Sequence, residues 1–336
     1  MNKQILLVSR PTGEPTLENF RLVETPLVPL ADGEVRVRHH YLSLDPYMRG
    51  RMNEGASYAE AQRLNEVMIG GTVGEVVDSR SAHFRVGDHV VGMGGWQQYQ
   101  RVDGSQRGAL RKVDSTQIPL SAYLGVLGMP GVTAWYGLGQ VIGPKAGETV
   151  VVSAASGAVG SVVGQLARLR GCRAVGIAGG GEKCRAVVDD FGFDACIDYR
   201  QHPDVKSLAS ALAEACPNGI DGCFENVGGW ILDAVMRRCN AYARIAVCGL
   251  IAGYNGEPIP MSAPQLILVK RMKVEGFIVS EHLALWPAAL GELGVLLASG
   301  RLQYRESIAQ GIESAPAAFI GLLKGRNFGK QLVRLI

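Results

Sequence analysis

The spacing of hydrophobic and polar positions changes near residue 125. Before it, short apolar runs divided by glycine and proline turns predict strands, among them 5–8, 35–38, 73–77 and 87–92. After it, strand and helix patterns alternate. The first run of this second part, 148–152, is continuously apolar, which is typical of a parallel strand covered on both faces. The pattern predicts a β-rich segment 1–124, a β/α segment 125–303 and a final segment 304–336 that ends in a strand over 331–336.

The alternation in the middle segment predicts an α/β fold. The expected elements are helix 133–140, strand 148–152, helix 159–170, strand 173–178, helix 183–191, strand 195–198, helix 205–215, strand 222–225, helix 231–238 and strand 244–248. Alternating elements of this length form a parallel sheet with right-handed crossovers. The sequence therefore predicts a doubly wound sheet in this segment.

The turn at 155–160, Ala-Ser-Gly-Ala-Val-Gly, lies between a buried strand and a helix. It departs from the dinucleotide pattern G-x-G-x-x-G at its first position, where Ala155 stands. Gly157 would let the backbone approach a pyrophosphate, and Gly160 would let helix and strand pack closely. The helix N-terminus offers free amides and a partial positive charge. The alternative is a tight strand-to-helix turn without a ligand; the context favours a dinucleotide site.

The end of the next strand distinguishes NADPH from NADH. An NAD site usually places a carboxylate there, about 20 residues after the glycine turn, to bind the ribose hydroxyls. Here the strand ends in Ala178 followed by the three glycines 179–181, with no acid at the tip. Glu182 comes next but is immediately followed by Lys183 and then Arg185. A glycine loop followed by a lysine would accept the 2′-phosphate of NADPH, whereas a carboxylate would repel it. The alternative for Lys183 is a solvated lysine that begins a helix.

Composition narrows the classes further. The net charge of +3 gives no general electrostatic case for binding nucleic acid or an anionic membrane. The apolar stretch 150–169 is interrupted by serines, a glutamine and glycines, so a strand, turn and helix explain it better than a membrane span. The seven cysteines include no C-x-x-C pair, which argues against a structural zinc site. These features favour a cytoplasmic protein with reduced cysteines.

Several longer strings resemble one family throughout the chain. They are 41–51 (YLSLDPYMRGR), 128–133 (GMPGVT), 155–164, 224–229 (FENVGG), 248–255 (CGLIAGYN), 275–279 (EGFIV) and 327–330 (NFGK). The chain resembles the medium-chain dehydrogenase/reductase superfamily, and within it the zinc-independent prostaglandin reductases and bacterial curcumin reductases. The resemblance implies a Rossmann domain inserted into a GroES-like, β-rich catalytic domain, with the site in the cleft, and a homodimer.

The resemblance also implies the residues that would bind the cofactor. The pyrophosphate would be held by the glycine turn, and Lys183 and Tyr199 would address the adenosine ribose phosphate. The full set is Gly157, Ala158, Val159, Gly160, Ser161, Lys183, Tyr199, Asn226, Cys248, Gly249, Leu250, Ile251, Tyr254, Phe277, Ile278, Val279 and Asn327. Simpler explanations exist for some of them: Asn226 could cap a helix, 277–279 could be a core strand, and Asn327 could be a turn residue.

The zinc enzymes of this superfamily carry a catalytic cysteine and a Gly-His-Glu stretch. This chain has 42–45 (LSLD) and 69–72 (IGGT) at those places, so no metal is expected. The resemblance implies reduction of the carbon–carbon double bond of an α,β-unsaturated ketone or aldehyde by NADPH. Tyr254 is the candidate for stabilising the enolate; alternatively it is a loop tyrosine near the cleft. Tyr47 receives no chemical role.

Two other functions stay open on the sequence alone. A quinone oxidoreductase of the same superfamily would share the glycine turn and the missing zinc ligands. A non-catalytic NADPH-binding protein would keep the dinucleotide site but have a blocked substrate cleft. The sequence does not identify the physiological substrate.

Overall fold

The structure, a computed structural model, describes residues 1–55, 57–106 and 108–336. Its strands are β1 Asn2–Leu7, β2 Phe20–Thr25, β3 Glu34–Ser43, β4 Glu66–Val67, β5 Thr72–Ser79, β6 His89–Gly92, β7 Tyr99–Asp103, β8 Leu110–Lys112, β9 Thr149–Ser153, β10 Arg173–Ala178, β11 Ala195–Asp198, β12 Ile220–Glu225, β13 Cys239–Val247, β14 Lys273–Gly276, β15 Glu306–Gln310 and β16 Lys330–Arg334. Its α-helices are α1 Tyr47–Arg51, α2 Met129–Tyr136, α3 Gly160–Leu169, α4 Gly181–Asp189, α5 Val205–Ala215, α6 Gly229–Arg238, α7 Gln265–Lys270, α8 Trp286–Ala298 and α9 Ala315–Leu323.

The chain divides into two compact units. The first comprises 1–125 and 306–336, and the second comprises 126–305. In the first unit, a seven-stranded mixed sheet has the order β15-β16-β3-β5-β6-β8 with β7 also paired to β3. A three-stranded sheet, β2-β1-β4, accompanies it. The C-terminal strand β16 pairs antiparallel with β3, which joins the two ends of the chain in one sheet.

The second unit contains a six-stranded parallel sheet with the order β11-β10-β9-β12-β13-β14. Numbered within the unit, this is the 3-2-1-4-5-6 order of the Rossmann fold. All residues of β9 are buried, as expected for a central strand covered on both faces. The predicted fold class is confirmed: an α/β protein with a doubly wound parallel sheet and a separate β-rich unit.

Two predicted elements differ from the structure. The helix predicted at 133–140 begins earlier, as α2, because Gly128 is extended and Pro130 fits the first turn of a helix. It continues as a π-helical turn, Gly137–Ile142, in which the Gly143 amide bonds the Leu138 carbonyl at 2.9 Å. The strand predicted at 244–248 begins at Cys239. Its first part is irregular because Tyr242 adopts φ 64°, so it lacks a regular strand pattern.

The seven cysteines are all free thiols, and five of them are buried. Burial raises the pKa of Cys216 to about 11 and that of Cys239 to about 12. Within the described ranges, none of the helices is both long enough and apolar enough to cross a bilayer.

His39 of β3 makes the stability of the first unit sensitive to acid. Its ring is 1% exposed, and Nδ1 lies 2.8 Å from the Gln97 carbonyl oxygen, to which it donates when the ring is neutral. The other nitrogen, Nε2, is buried and finds no partner in the described part of the chain. Burial is the main reason that the pKa of His39 falls from 6.5 to about 4.

This low pKa predicts a loss of stability below neutral pH. The unfolded chain takes up a proton near pH 6.5 but the folded chain only near pH 4, so the contribution is complete above 6.5 and is lost as the pH falls towards 4. The pKa difference corresponds to about 3 kcal/mol. Urea unfolding at pH 7.5 and pH 4.5 measures this loss as the difference between the two free energies of unfolding. We expect the difference to be much smaller in His39→Gln than in the natural protein. The control His83→Gln, at an exposed histidine, should keep the natural difference. An unchanged pH dependence in His39→Gln would contradict the assignment.

Candidate active site

The glycine turn follows β9 and leads into α3. Ala154 adopts φ 49°, a left-handed conformation that costs energy for a residue with a side chain. Because the left-handed position falls on Ala154, the next residue, Ala155, needs no glycine and is buried with its amide on the Ile177 carbonyl at 3.1 Å. The departure from the G-x-G-x-x-G pattern is therefore explained by the shape of the turn.

Gly160 is the position where a side chain would not fit. A Cβ there would lie 2.4 Å from the Ala154 carbonyl oxygen and 3.0 Å from the Ala155 Cα. A Cβ on Gly157 would meet only the Ala154 oxygen, at 3.2 Å. Gly160 thus allows α3 to begin directly against the end of β9, which is the role of the third glycine of a dinucleotide-binding turn.

The turn presents three amides that lack an acceptor among the described residues. In the part of the chain that the structure describes, the N–H groups of Ala158, Val159 and Gly160 have no acceptor, while Ser161 N donates to the Gly157 carbonyl at 3.1 Å. Free amides at the start of a ten-residue helix form a site for an anionic group. These residues fit a pyrophosphate, because Gly157 has no side chain that could cover the three amides.

The loop after β10 carries the predicted 2′-phosphate residues. Gly180 adopts φ 105°, and its amide donates to Asp198 Oδ1 at 2.8 Å, so the carboxylate at the end of β11 is engaged by the loop itself. Burial and the charge of Arg200 lower the pKa of Lys183. Tyr199 follows β11 and packs edge-on to Trp230, with the ring centroids 6.3 Å apart. Tyr199 thus lies against Gly179, in the glycine loop that leads into α4 and Lys183.

Asn226 and the 248–254 segment meet at the carboxyl ends of β12 and β13. The Asn226 side chain donates to the Ser153 carbonyl at 2.8 Å, and its backbone carbonyl accepts from Ile251 N at 3.2 Å. The alternative that Asn226 caps a helix is wrong, because the residue before α6 is Gly228 and no side chain caps that helix. Burial raises the pKa of the neighbouring Cys248 thiol to about 12.

The Tyr254 hydroxyl lies over its own loop. It is 3.4 Å from the Leu250 amide, which donates to it, and 3.1 Å from the position of a Cβ on Gly249. A side chain at 249 would therefore require the phenol to shift by a few tenths of an ångström. The same point above Gly249 is 3.4 Å from the Asn226 carbonyl oxygen, so Tyr254 and Asn226 lie side by side at the end of the sheet.

The remaining predicted residues lie elsewhere. Phe277 and Ile278 follow β14, and Val279 begins a 3-10 helix, Val279–Leu285, so the alternative that 277–279 forms a core strand is wrong. Phe277 packs against Tyr136 with ring centroids 5.3 Å apart. Asn327 belongs to the first unit, where its amide donates to the Gly329 carbonyl at 2.8 Å.

Sequence reasoning missed Glu225, the last residue of β12. Its side chain is fully buried, and Oε1 accepts from Ser153 Oγ at 2.8 Å, Val227 N at 2.6 Å and Gly228 N at 2.7 Å. Its backbone carbonyl accepts from the amides of Cys248 and Gly249. Burial raises the pKa of the carboxyl, which the three donors oppose. The sequence does contain a signal for this residue, namely a carboxylate at the end of an apolar strand. A carboxylate buried at such a position needs hydrogen-bond donors around it, which indicates a structural role.

Comparison with known proteins places this site in a family. Residues 3–110 match a family model described as the N-terminal domain of oxidoreductase, and residues 158–293 match one described as zinc-binding dehydrogenase. The chain is 46% identical to the NADPH-dependent curcumin reductase of Escherichia coli K12, over 99% of this chain and 97% of that protein. The chain belongs to the medium-chain dehydrogenase/reductase superfamily. In its described part, no three His, Cys, Asp or Glu side chains gather in a group that could hold a metal ion.

Other members of the superfamily cover the chain equally well. The chain is 43% identical to the NADP⁺-dependent 2-alkenal reductase of Nicotiana tabacum, with 99% of this chain and 97% of that protein covered. It is 42% identical to rat prostaglandin reductase 1, with 96% and 95% covered. A crystal structure of CurA from Vibrio vulnificus in complex with NADPH is 47% identical, covers 99% of both chains and has a TM-score of 0.92. The predicted superfamily and the predicted resemblances are confirmed.

Proposed function

We propose that this chain reduces the carbon–carbon double bond of α,β-unsaturated ketones and aldehydes, with NADPH as the hydride donor. The proposal is carried by the combination of a dinucleotide site with similarity to a known reductase. The free amides of the glycine turn and the three glycines 179–181 at the end of β10 occur in a chain that is similar, from end to end, to a protein named as a 2-alkenal reductase. The first features support a 2′-phosphorylated dinucleotide, and the similarity supports the substrate class.

The proposed cofactor site follows the strand ends. The amides of Ala158, Val159 and Gly160 hold the pyrophosphate, with Gly157 and Ser161 on either side of them, and Lys183 with Tyr199 hold the 2′-phosphate. Asn226, the segment 248–251, Tyr254 and the segment 277–279 line the rest. The lowered pKa of Lys183 supports this assignment, because an anion would stabilise the ammonium that burial and Arg200 disfavour.

NADPH, when bound, supplies the hydride that reaches the β-carbon of the substrate. The task of the protein is to hold the enone in place and to stabilise the negative charge that develops on the carbonyl oxygen. The Tyr254 hydroxyl is the proposed donor to that oxygen. Its contact with the Leu250 amide supports this role, because an amide donating to the phenolic oxygen orients the O–H away from the loop.

An acceptor assay tests the proposed reaction against its alternatives. NADPH consumption by the purified chain is measured with a linear enone, with a quinone and without an acceptor. We expect rapid consumption with the enone only, with a saturated ketone as the product. Consumption with quinones only would support the quinone oxidoreductase, and a bound cofactor that no acceptor consumes would support the non-catalytic alternative.

The predicted homodimer stays a proposal, and the free edge of the parallel sheet supports it. Among the described strands, β14 pairs with β13 alone, and Val274 in its centre is 37% exposed. Lys273 and Glu275 flank it on one face, with 2.5 Å between Nζ and Oε2. Antiparallel pairing of two copies about Val274 would place each Lys273 opposite the Glu275 of the other copy, as a two-fold interface requires.

Light scattering tests this interface. We expect twice the chain mass of 35.9 kDa for the natural protein and the mass of one chain for Val274→Glu, since two glutamates would then meet on the two-fold axis. Leu17→Glu, at another exposed apolar position, is the control and should leave the mass unchanged. A Val274→Glu protein with the natural mass would exclude this edge. The predicted cytoplasmic location likewise stays a proposal.

A further inference from the structure

The glycine loop 179–181 lies under the side chains of the segment that follows β11. A Cβ on Gly179 would be 2.9 Å from Tyr199 Cε1 and 3.1 Å from Arg200 Nε. A Cβ on Gly180 would be 3.6 Å from an Arg200 guanidinium nitrogen. The Arg200 guanidinium is thus held against the loop that precedes Lys183, although Arg200 follows Gly179 by 21 positions in the sequence.

Among the described residues, the Arg200 guanidinium has no acidic partner. The Arg200 side chain forms neither an ion pair nor a hydrogen bond with any residue that the structure describes. The nearest carboxylate, Asp198, is occupied by backbone amides: Oδ1 accepts from Gly180 N at 2.8 Å and from Arg200 N at 3.1 Å. Arg200 is also close enough to Lys183 for its charge to disfavour the ammonium. Two cations therefore lie at one loop. Glu182, the neighbour of Lys183 in the sequence, opposes the effect of Arg200 on the pKa of Lys183 only in part.

An anion bound between the two groups would stabilise both positive charges. A guanidinium presents a planar set of N–H donors that matches phosphate oxygens, and an ammonium adds a second point of charge. The three glycines keep the backbone below them free of side chains. This combination fits a phosphate monoester on a ribose better than a ribose hydroxyl, which carries no charge to balance.

We propose that Arg200 is a specificity-determining residue, which binds the 2′-phosphate of NADPH together with Lys183 and sets the preference over NADH. The inference rests on the proposed function for the identity of the cofactor, but not on the reaction. It adds a residue that neither the glycine pattern nor the family strings indicated. The alternative is an exposed arginine in contact with water only.

Binding of two small fragments separates these alternatives without any turnover. The probes are 2′,5′-ADP, which carries the 2′-phosphate, and 5′-AMP, which lacks it; both are titrated calorimetrically into the full-length protein. We expect the natural protein to prefer 2′,5′-ADP. In Arg200→Gln the affinity for 2′,5′-ADP should fall about tenfold or more, as for loss of a charge-assisted hydrogen bond, while that for 5′-AMP changes less than about twofold.

Two matched variants complete the experiment. Arg200→Lys keeps the charge without the planar donors and should recover part of the loss. Arg301→Gln makes the same chemical change at an exposed arginine just after α8 and should behave like the natural protein. An unchanged affinity for 2′,5′-ADP in Arg200→Gln, an equal loss for both fragments, or the same loss in Arg301→Gln would each overturn the proposal.

The result is independent of the proposed reaction. Enone reduction with an unchanged fragment preference in Arg200→Gln would leave the proposed function standing and refute the role of Arg200. A fragment preference that depends on Arg200, in a protein that reduces no enone, would support this inference and refute the reaction.

Discussion

Gly160→Ala is expected to weaken NADPH binding by at least about 100-fold and to lower the free energy of unfolding by about 3 kcal/mol. The added methyl would lie 2.4 Å from the Ala154 carbonyl oxygen and 3.0 Å from backbone carbons, and backbone atoms have little freedom to move aside. Overpacking of this kind usually costs about 1–3 kcal/mol, and here it also displaces the start of α3. The amides of residues 158–160 would then lose the arrangement that suits a pyrophosphate.

Fluorescence titration with NADPH and urea unfolding measure the two effects. Gly294→Ala is the matched control, since a Cβ at that position of α8 has no neighbour within 4 Å. It should leave NADPH binding unchanged and stabilise the protein by about 0.5–1 kcal/mol, as alanine usually does within a helix. A Gly160→Ala protein with natural affinity would show that the close approach at 160 is unimportant for the cofactor.

Tyr254→Phe is expected to lower turnover with an enone by about 100-fold and to leave the affinity for NADPH within about threefold. Removal of one donor to a developing oxyanion usually costs this much, and the effect falls on the chemical step. The phenylalanine ring would occupy the same space above Gly249, so the loop should keep its shape.

The second tyrosine variant serves as a control for this effect. Tyr242→Phe removes a hydroxyl from a residue that is 65% exposed at the start of β13, and turnover should not change. Two measurements separate the chemical step from cofactor binding: turnover at saturating NADPH, and the dissociation constant of NADPH. If Tyr254→Phe turns over enones at the natural rate, the phenol has no part in the chemistry.

Much of the second unit could be predicted because its signals are local. A strand such as β9 is buried on both faces and therefore reads as a continuous apolar run, and β10, β11 and α5 have the predicted bounds. The glycine turn was found because its conformation depends on its own residues. The predicted start of helix α2 is four residues too late, because Met-Pro-Gly in a sequence suggests a turn. In the structure these three residues form the first turn of the helix.

Features that depend on distant residues could not be predicted in the same way. Glu225 appears in the sequence as an acid after an apolar strand, and its role became visible only when Ser153 of β9 was found beside it. Arg200 approaches Gly179 because β10 and β11 are neighbours in the sheet, with Ala178 opposite Asp198. The lowered pKa of His39 arises from complete burial, which alternating residues in β3 suggest only in part.

Hydride transfer from NADPH to the β-carbon of an enone can be followed with an isotope label. The most direct measurement uses NADPH deuterated at C4 of the nicotinamide, a linear enone and the purified full-length chain, with the product analysed by NMR. We predict a saturated ketone with deuterium at the β-carbon and a proton from solvent at the α-carbon. Deuterium at the carbonyl carbon of an unsaturated alcohol, or an enone recovered without deuterium, would contradict the proposed function.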